Sequence, residues 1–337
     1  MSNRKLQRKK KKIFITAGIS LAAILAGGYF LWSQIPNYKQ PTAVNVDGKG
    51  MEAALINDLE YEGSLYQYND HLTNHLFMGI DTRDTVDGYT SQNDAGQADS
   101  IFLVSMDRVT EEIKALVIPR DTIAEIEVFN PSGKSLGHTK DHINIQYAYG
   151  DGRQKSCQLM STAVSKLLGG IPIHKYCSLN MDGIPILTEA VDGITVTVPN
   201  NSLETQNPEF YEGAVVELTG ENTEMFVRYR DTDQSGSAMV RQERQKIFLE
   251  AFAEKARQKA AQDSSFVIDL YEEVEPYTVT NMGNDLFAKL LTASGNTSAE
   301  VNTVPGEAVE GKSFDEYHVD EEKLTEILIE MFYRKLE

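Results

Sequence analysis

Residues 13–32, IFITAGISLAAILAGGYFLW, form an uncharged apolar run directly behind Arg4, Lys5, Arg8 and Lys9 to Lys12. Twenty helical residues at about 1.5 Å each cover the roughly 30 Å hydrocarbon core of a bilayer, so one transmembrane helix is predicted here. The cations keep residues 1–12 as a cytoplasmic basic tail and send everything after Trp32 to the outer side of the membrane. A cleaved signal peptide is the alternative, but the run is longer than a usual h-region and no A-x-A site follows it. Neither cysteine is near the run, which excludes a lipid-modified cysteine there.

The formal net charge is −18, and setting aside the seven N-terminal cations makes it −25 for the rest of the chain. Nucleic acid is therefore excluded as a partner, and a twelve-residue tail is too short for a DNA-reading motif. Residues 33–337 can fill one large domain or two small ones. Cys157 shares an apolar helical face with Met160, Val164 and Leu168, and Cys177 alternates with Leu179 and Met181 as in a strand. Both read as buried free thiols; a single bridge is the other reading, because spacing does not show whether they meet.

From 33 to 70 the composition is polar and weakly periodic, as in a stalk and linker, with a short helix expected near 52–59. Short apolar runs at 75–80, 100–106 and 113–118, each bounded by polar turns, read as buried strands. An amphipathic helix follows at 155–168, ended by Gly169-Gly170, then a strand (175–181), a helix (184–191) and a strand (194–198). Helices are expected near 221–227 and from 239 to 261, and at 285–291 and 320–334 beyond them. Strands alternating with helices indicate an α/β layer fold. Residues 263–337 are expected to complete the core of 71–262 rather than to form a separate unit.

Arg228, Arg230, Arg241 and Arg244 fall within seventeen residues of an otherwise acidic body, and planar guanidinium groups suit bidentate binding of phosphate oxygens. A solvated, charge-paired helix is the competing explanation of the same spacing. Asp81 ends the first buried strand, Asp99 begins the second, and Arg120-Asp121 follows the third. Ligands of open α/β sheets bind at strand ends, and two carboxylates brought together there repel unless a divalent cation lies near, with hard oxygens favouring Mg²⁺.

Met78-Gly-Ile-Asp-Thr-Arg83, Gly96-Gln-Ala-Asp-Ser100, Ile118-Pro-Arg-Asp-Thr122, His142-Ile-Asn-Ile-Gln-Tyr-Ala-Tyr-Gly150, Val227-Arg-Tyr-Arg-Asp231 and Arg241-Gln-Glu-Arg-Gln245 stand in an order that resembles the LytR-CpsA-Psr family. The resemblance implies an α-β-α sandwich around a central mixed sheet with an apolar tunnel, and a catalytic domain over 71–262. It implies transfer of a polyprenyl-pyrophosphate-linked glycopolymer, such as teichoic acid or capsule, to a peptidoglycan acceptor at the bacterial cell membrane. Asp81 and Asp99 are then expected to hold Mg²⁺, and Arg120, Arg228, Arg230 and Arg241 to grip the pyrophosphate, with Arg83 and Arg244 as further substrate contacts. Asp121 would serve as base or as orienter of Arg120. Two stretches depart from the family pattern: Gly96-Gln97-Ala98 stands where Gly-Arg-Ser is usual, and Gly236-Ser-Ala-Met-Val240 lacks an acid and a second glycine, leaving Asp231 and Asp233 as the nearby acids. A pyrophosphatase and a non-catalytic lipid-binding scaffold are the rival functions.

Two motifs read as decoys. Gly306-Glu-Ala-Val-Glu-Gly-Lys-Ser313 matches a P-loop, but Glu307 and Glu310 would face the phosphates, so a loop is expected. His138 and His142 have zinc-ligand spacing only on a helix, and Gly133 and Gly137 argue against one.

Overall fold

The chain enters the fold through a tight hairpin of β1 (Leu59–Tyr61) and β2 (Ser64–Tyr68), turned by Glu62 and Gly63 at positive φ. The expected linker is thereby corrected at its end: residues 59–68 are sheet, because β2 pairs with Tyr333–Lys335 from the far end of the chain. The structure is a computed structural model describing residues 59–89, 95–231, 237–286, 288–290, 300–311 and 314–336. The basic tail and the predicted transmembrane helix lie outside these residues. Among the described residues no helix is long and apolar enough to cross a membrane.

Three strands form an antiparallel meander, β3 (Leu72–Ile80), β4 (Ala98–Asp107) and β5 (Ile113–Ile118), where the apolar runs predict them. A second hairpin follows, β6 (Ile123–Phe129) with β7 (Ser135–His142). β7 is exposed or half-buried throughout, so no alternation of apolar residues marks it in the sequence. It carries both histidines of the candidate zinc pair. Four residues of strand separate their backbones by about 13 Å, too far to share one ion.

Helix α1 (Gln154–Leu167) ends at Gly169 and Gly170, both at positive φ, where the Gly170 N–H reaches back to the Ser165 carbonyl at 2.7 Å. Then come β8 (Lys175–Asn180), α2 (Gly183–Ala190), the pair β9 (Ile194–Thr197) and β10 (Val215–Leu218), α3 (Thr223–Arg228), α4 (Ser237–Gln262) and α5 (Phe266–Val274). The last part of the chain adds β11 (Thr278–Thr280), β12 (Glu300–Thr303), the hairpin β13 (Gly306–Glu310) with β14 (Asp315–Val319), α6 (Glu321–Phe332) and β15 (Tyr333–Lys335).

The six-stranded sheet has the order β11-β8-β3-β4-β5-β12, with β3–β8 and β5–β12 parallel and the rest antiparallel. Period-two alternation sends Leu76, Met78, Leu103 and Leu116 to one face, against Met160 and Val164 of α1 and Phe332 of α6. Phe77, Phe102, Val104 and Val117 face the other way, onto Leu187, Phe248, Phe252 and Leu270 from α2, α4 and α5. The result is an α-β-α sandwich around a mixed sheet. Both cysteines are free and buried: Cys157 packs in the first of these cores and Cys177 in the second. Both edge strands, β11 and β12, come from residues beyond 262. Gly306 begins a strand rather than a phosphate-binding loop, and Lys312 and Ser313 of the P-loop pattern lie outside the described residues.

Candidate active site

β3 ends, β4 begins and β5 ends at one margin of the sheet, because the meander is antiparallel and pairs Ile80 with Ala98 and Ile101 with Ile118. Asp81, Asp99 and Arg120 lie one or two residues past these pairs. The β3–β4 register slips between Gly79 and Ile80, leaving Asp99 without a ladder partner. Such a bulge bends the strand and re-aims the side chain it carries. Gly96 approaches so closely that an added Cβ would lie 2.3 Å from Thr82 Cγ2 and 2.7 Å from Asp81 Oδ1, and its φ of +69° also favours glycine. That approach lets the Gln97 N–H donate to Asp81 Oδ1 at 2.5 Å.

Asp99 is the hub. Its Oδ1 accepts from Arg120 Nη1, and its Oδ2 accepts from Arg241 Nη1 at 2.9 Å. Arg120 is braced at each nitrogen: Nε donates to Asp121 Oδ1 at 3.1 Å and Nη2 to Gln97 Oε1 at 3.3 Å. Asn144 Nδ2 donates to the same Gln97 oxygen at 2.9 Å. Gln97 and Asn144 belong to this hydrogen-bond network, and charge-based sequence reasoning passes over them, since neither is ionisable. The signal available was position: both lie inside the quoted motifs. Burial lowers the pKa of Arg120, and burial with the charge of Arg230 brings that of Arg241 down to about 10, which leaves Arg241 cationic at neutral pH.

Arg228 closes α3, and an extended Tyr229 carries the chain on to Arg230, so both reach the same cleft. Arg230 Nε donates to Ser237 Oγ at 3.0 Å. Arg241 and Arg244 share α4 but diverge. Arg244 is almost fully buried: its Nε donates to the Phe226 carbonyl at 2.7 Å, Nη1 to Ser202 Oγ at 2.5 Å, and Nη2 to the Tyr229 carbonyl. Three residues turn a helix by about 300°, so the two side chains leave it in directions some 60° apart. The unpaired carbonyls at the α3 C-terminus claim the second of them. Gln245 Nε2 caps the same end through the Val227 carbonyl at 3.2 Å. Arg244 is thus placed to hold α3 rather than to touch a ligand. Arg83 also stands back from the cleft wall, bridging Asp182 at 2.8 Å and Glu224.

The cleft encloses about 970 Å³ of space open to solvent. Arg120, Arg228, Arg230 and Arg241 line it against Asp81, Asp99 and Glu224, a surplus of one positive charge. Asp81 and Asp99 offer hard oxygens with lone pairs beyond those already engaged, which fits a Mg²⁺ held by one or two carboxylates and completed by substrate phosphates. A narrower recess, walled by Phe102, Val117, Met239 and Tyr317, adjoins the cleft and shares Asp99, Arg120 and Arg241 with it. Asp121 borders this recess and is positioned as the orienter of Arg120.

An α-β-α sandwich that gathers arginines around two carboxylates at its sheet margin is built to grip a multiply charged anion. Residues 41–332 match the LytR_cpsA_psr family, and the chain belongs to it. It is 28% identical over 285 residues to a protein of Bacillus mycoides named polyisoprenyl-teichoic acid–peptidoglycan teichoic acid transferase TagU, covering 82% of this chain and 81% of that one. It is 30% identical over 321 residues to the protein of that name from Oceanobacillus iheyensis, covering 92% and 89%. Among solved structures, the protein gbs0355 of Streptococcus agalactiae has the same fold, with a TM-score of 0.62 at 21% identity over 79% of this chain and 90% of that one.

Proposed function

We propose that the protein transfers a polyprenyl-pyrophosphate-linked glycopolymer of the teichoic acid or capsule type to peptidoglycan, outside the cell membrane and anchored to it by residues 13–32. The convergence of Arg120 and Arg241 on Asp99, in a family member, carries this reading. A hydroxyl oxygen of the acceptor attacks the glycopolymer-side phosphorus, the bond to the bridging oxygen breaks, and polyprenyl phosphate leaves, while the hydroxyl proton passes to water or to the departing phosphate.

Arg120 and Arg241 hold the phosphate oxygens where charge develops, while Asp99, Asp121 and Gln97 fix the guanidinium plane of Arg120 beforehand and Asp99 tethers Arg241 through one nitrogen. Arg228 and Arg230 close on the outer phosphate. Asp81 and Asp99 would hold Mg²⁺, which when bound neutralises phosphate charge.

The test uses the full-length chain in detergent with a lipid-linked glycopolymer and peptidoglycan. Glycopolymer bound to peptidoglycan and free polyprenyl phosphate should form in equal amounts, and both should disappear in Asp99→Ala and on chelation of magnesium. Release of polyprenyl phosphate at full rate without peptidoglycan would replace transfer with hydrolysis.

A further inference from the structure

Three of the cleft's cations, Arg120, Arg241 and Arg228, already have internal anionic partners. Asp99 serves the inner two, Arg120 and Arg241. Glu224 serves Arg228 on the cleft wall and Arg83 behind it: Arg228 Nη1 donates to its Oε1 at 3.0 Å, and Arg83 Nη2 donates to the same oxygen. The roles of the two carboxylates differ in exposure. Asp99 is 11% exposed at its side chain and tied to the sheet margin, whereas Glu224 is 26% exposed and its two arginines are 46% and 49% exposed.

Glu224 stands on the first turn of α3, one helical turn before Arg228, so the pair shares a helix face as i, i+4 neighbours. Arg83 comes from the loop after β3 and is held from its other side by Asp182, whose Oδ2 also accepts the Asp84 N–H at 2.8 Å. Glu224 therefore sits on the cleft wall between a loop-anchored cation and a ligand-facing one. A phosphate oxygen that takes Arg228 must compete with that carboxylate, while Arg83 offers the displaced charge a partner.

We propose that Glu224 sets the affinity of the cleft for the donor: an internal counter-anion that competes with the donor's pyrophosphate for Arg228 and weakens its hold. The inference rests on the pyrophosphate-grip reading above and adds a residue that opposes binding. Glu224→Gln keeps the side-chain shape and removes the charge. Arg228 then becomes free to bind phosphate, and the cleft's surplus rises from one positive charge to two.

Binding of inorganic pyrophosphate to the full-length chain in detergent, followed by titration calorimetry, provides the test. Glu224→Gln should bind about two- to fivefold more tightly than wild type, the range expected for releasing a half-exposed ion pair. Arg83→Gln should bind more weakly, because Glu224 then commits wholly to Arg228. In the double variant Arg83→Gln/Glu224→Gln that weakening should vanish, since with no carboxylate to share, Arg83 has nothing to relieve. Unchanged or weaker binding in Glu224→Gln overturns the proposal, as does an Arg83→Gln defect that persists in the double variant. Failure of the parent reading looks different: wild type would bind no pyrophosphate, or Arg241→Lys would bind it as well as wild type, and this inference would fall with it.

Discussion

Arg120 and Arg244 are both enclosed arginines with every nitrogen engaged, yet their partners assign them opposite roles. Arg120 is held by side chains at the margin of an open cleft, so its guanidinium plane is set in advance for an incoming anion. Arg120→Lys replaces a fork by a point charge, and we expect transfer to fall by about 30- to 1,000-fold, or roughly 2 to 4 kcal/mol of transition-state stabilisation. Arg228, half-exposed and shared with Glu224, should lose less on the same change. Arg244 donates to backbone carbonyls inside the fold. Arg244→Lys leaves at least one of these buried acceptors unpaired, at a cost of about 1 to 3 kcal/mol, so its mark should be a lowered melting temperature. Thermal melts and transfer assays on the two variants separate the roles. Gln97→Leu removes the neutral oxygen shared by Arg120 and Asn144 and should reduce transfer with the Arg120 charge intact.

The β13–β14 hairpin shows how an element far along the chain shapes the site. Ala308, Glu316 and Tyr317 from this hairpin line the recess beside Arg120, and the Tyr317 N–H donates to the Asp121 carbonyl at 2.8 Å. His142 at the end of β7 fastens the hairpin through the Asp315 carbonyl, 2.9 Å from Nε2, with Asp141 3.0 Å from Nδ1. Burial pulls the pKa of His142 down, but the Asp315 carbonyl, the Asp141 carboxylate and the charge of Asp121 outweigh it and leave it raised. A raised folded-state value means that the protonated form favours the folded arrangement. The stabilisation is fully present below the unfolded-state pKa and is lost as pH rises through the folded one. Amide hydrogen exchange across Gly306–Glu310 and Asp315–Val319 should lose protection as the pH rises above the ordinary histidine value of about 6.5, after correction for intrinsic rates. His142→Gln should flatten this dependence; an unchanged profile would remove His142 from the fastening.

At the scale of the whole molecule the sheet is closed by the segment that follows the arginine helix. β11 covers the open edge of β8 and β12 that of β5, while β15 completes the small sheet begun by β1 and β2. A chain ended after Gln262 would bare the edges of β8 and β5 and lose Phe332 from one core, and bare sheet edges invite aggregation. Such a truncation should be insoluble when expressed. Topology has its own check: protease added to intact, wall-stripped cells should digest the region after Trp32, and protection of all of it would reverse the proposed orientation.

The sequence by itself determined the features that depend on neighbouring residues. Continuous short apolar runs at 75–80, 100–106 and 113–118 mark β3, β4 and β5 as strands buried on both faces, and the 3.6-residue pattern marks α1 and α4. The ordered motifs point to the family and set charged groups at strand ends. What tertiary structure alone decided is direction and pairing. The bulge at Asp99 depends on a strand some twenty residues earlier, and the Asp99–Arg241 contact spans 142 residues. Two arginines three apart on one helix read alike in sequence, and only the carbonyls of a separate helix end draw Arg244 away from the cleft. Glu224 is one acid among many until Arg83, 141 residues before it, is folded against it. Such pairings are invisible in local periodicity because a side chain's partner is set by which distant surfaces pack together, and packing is a property of the whole chain.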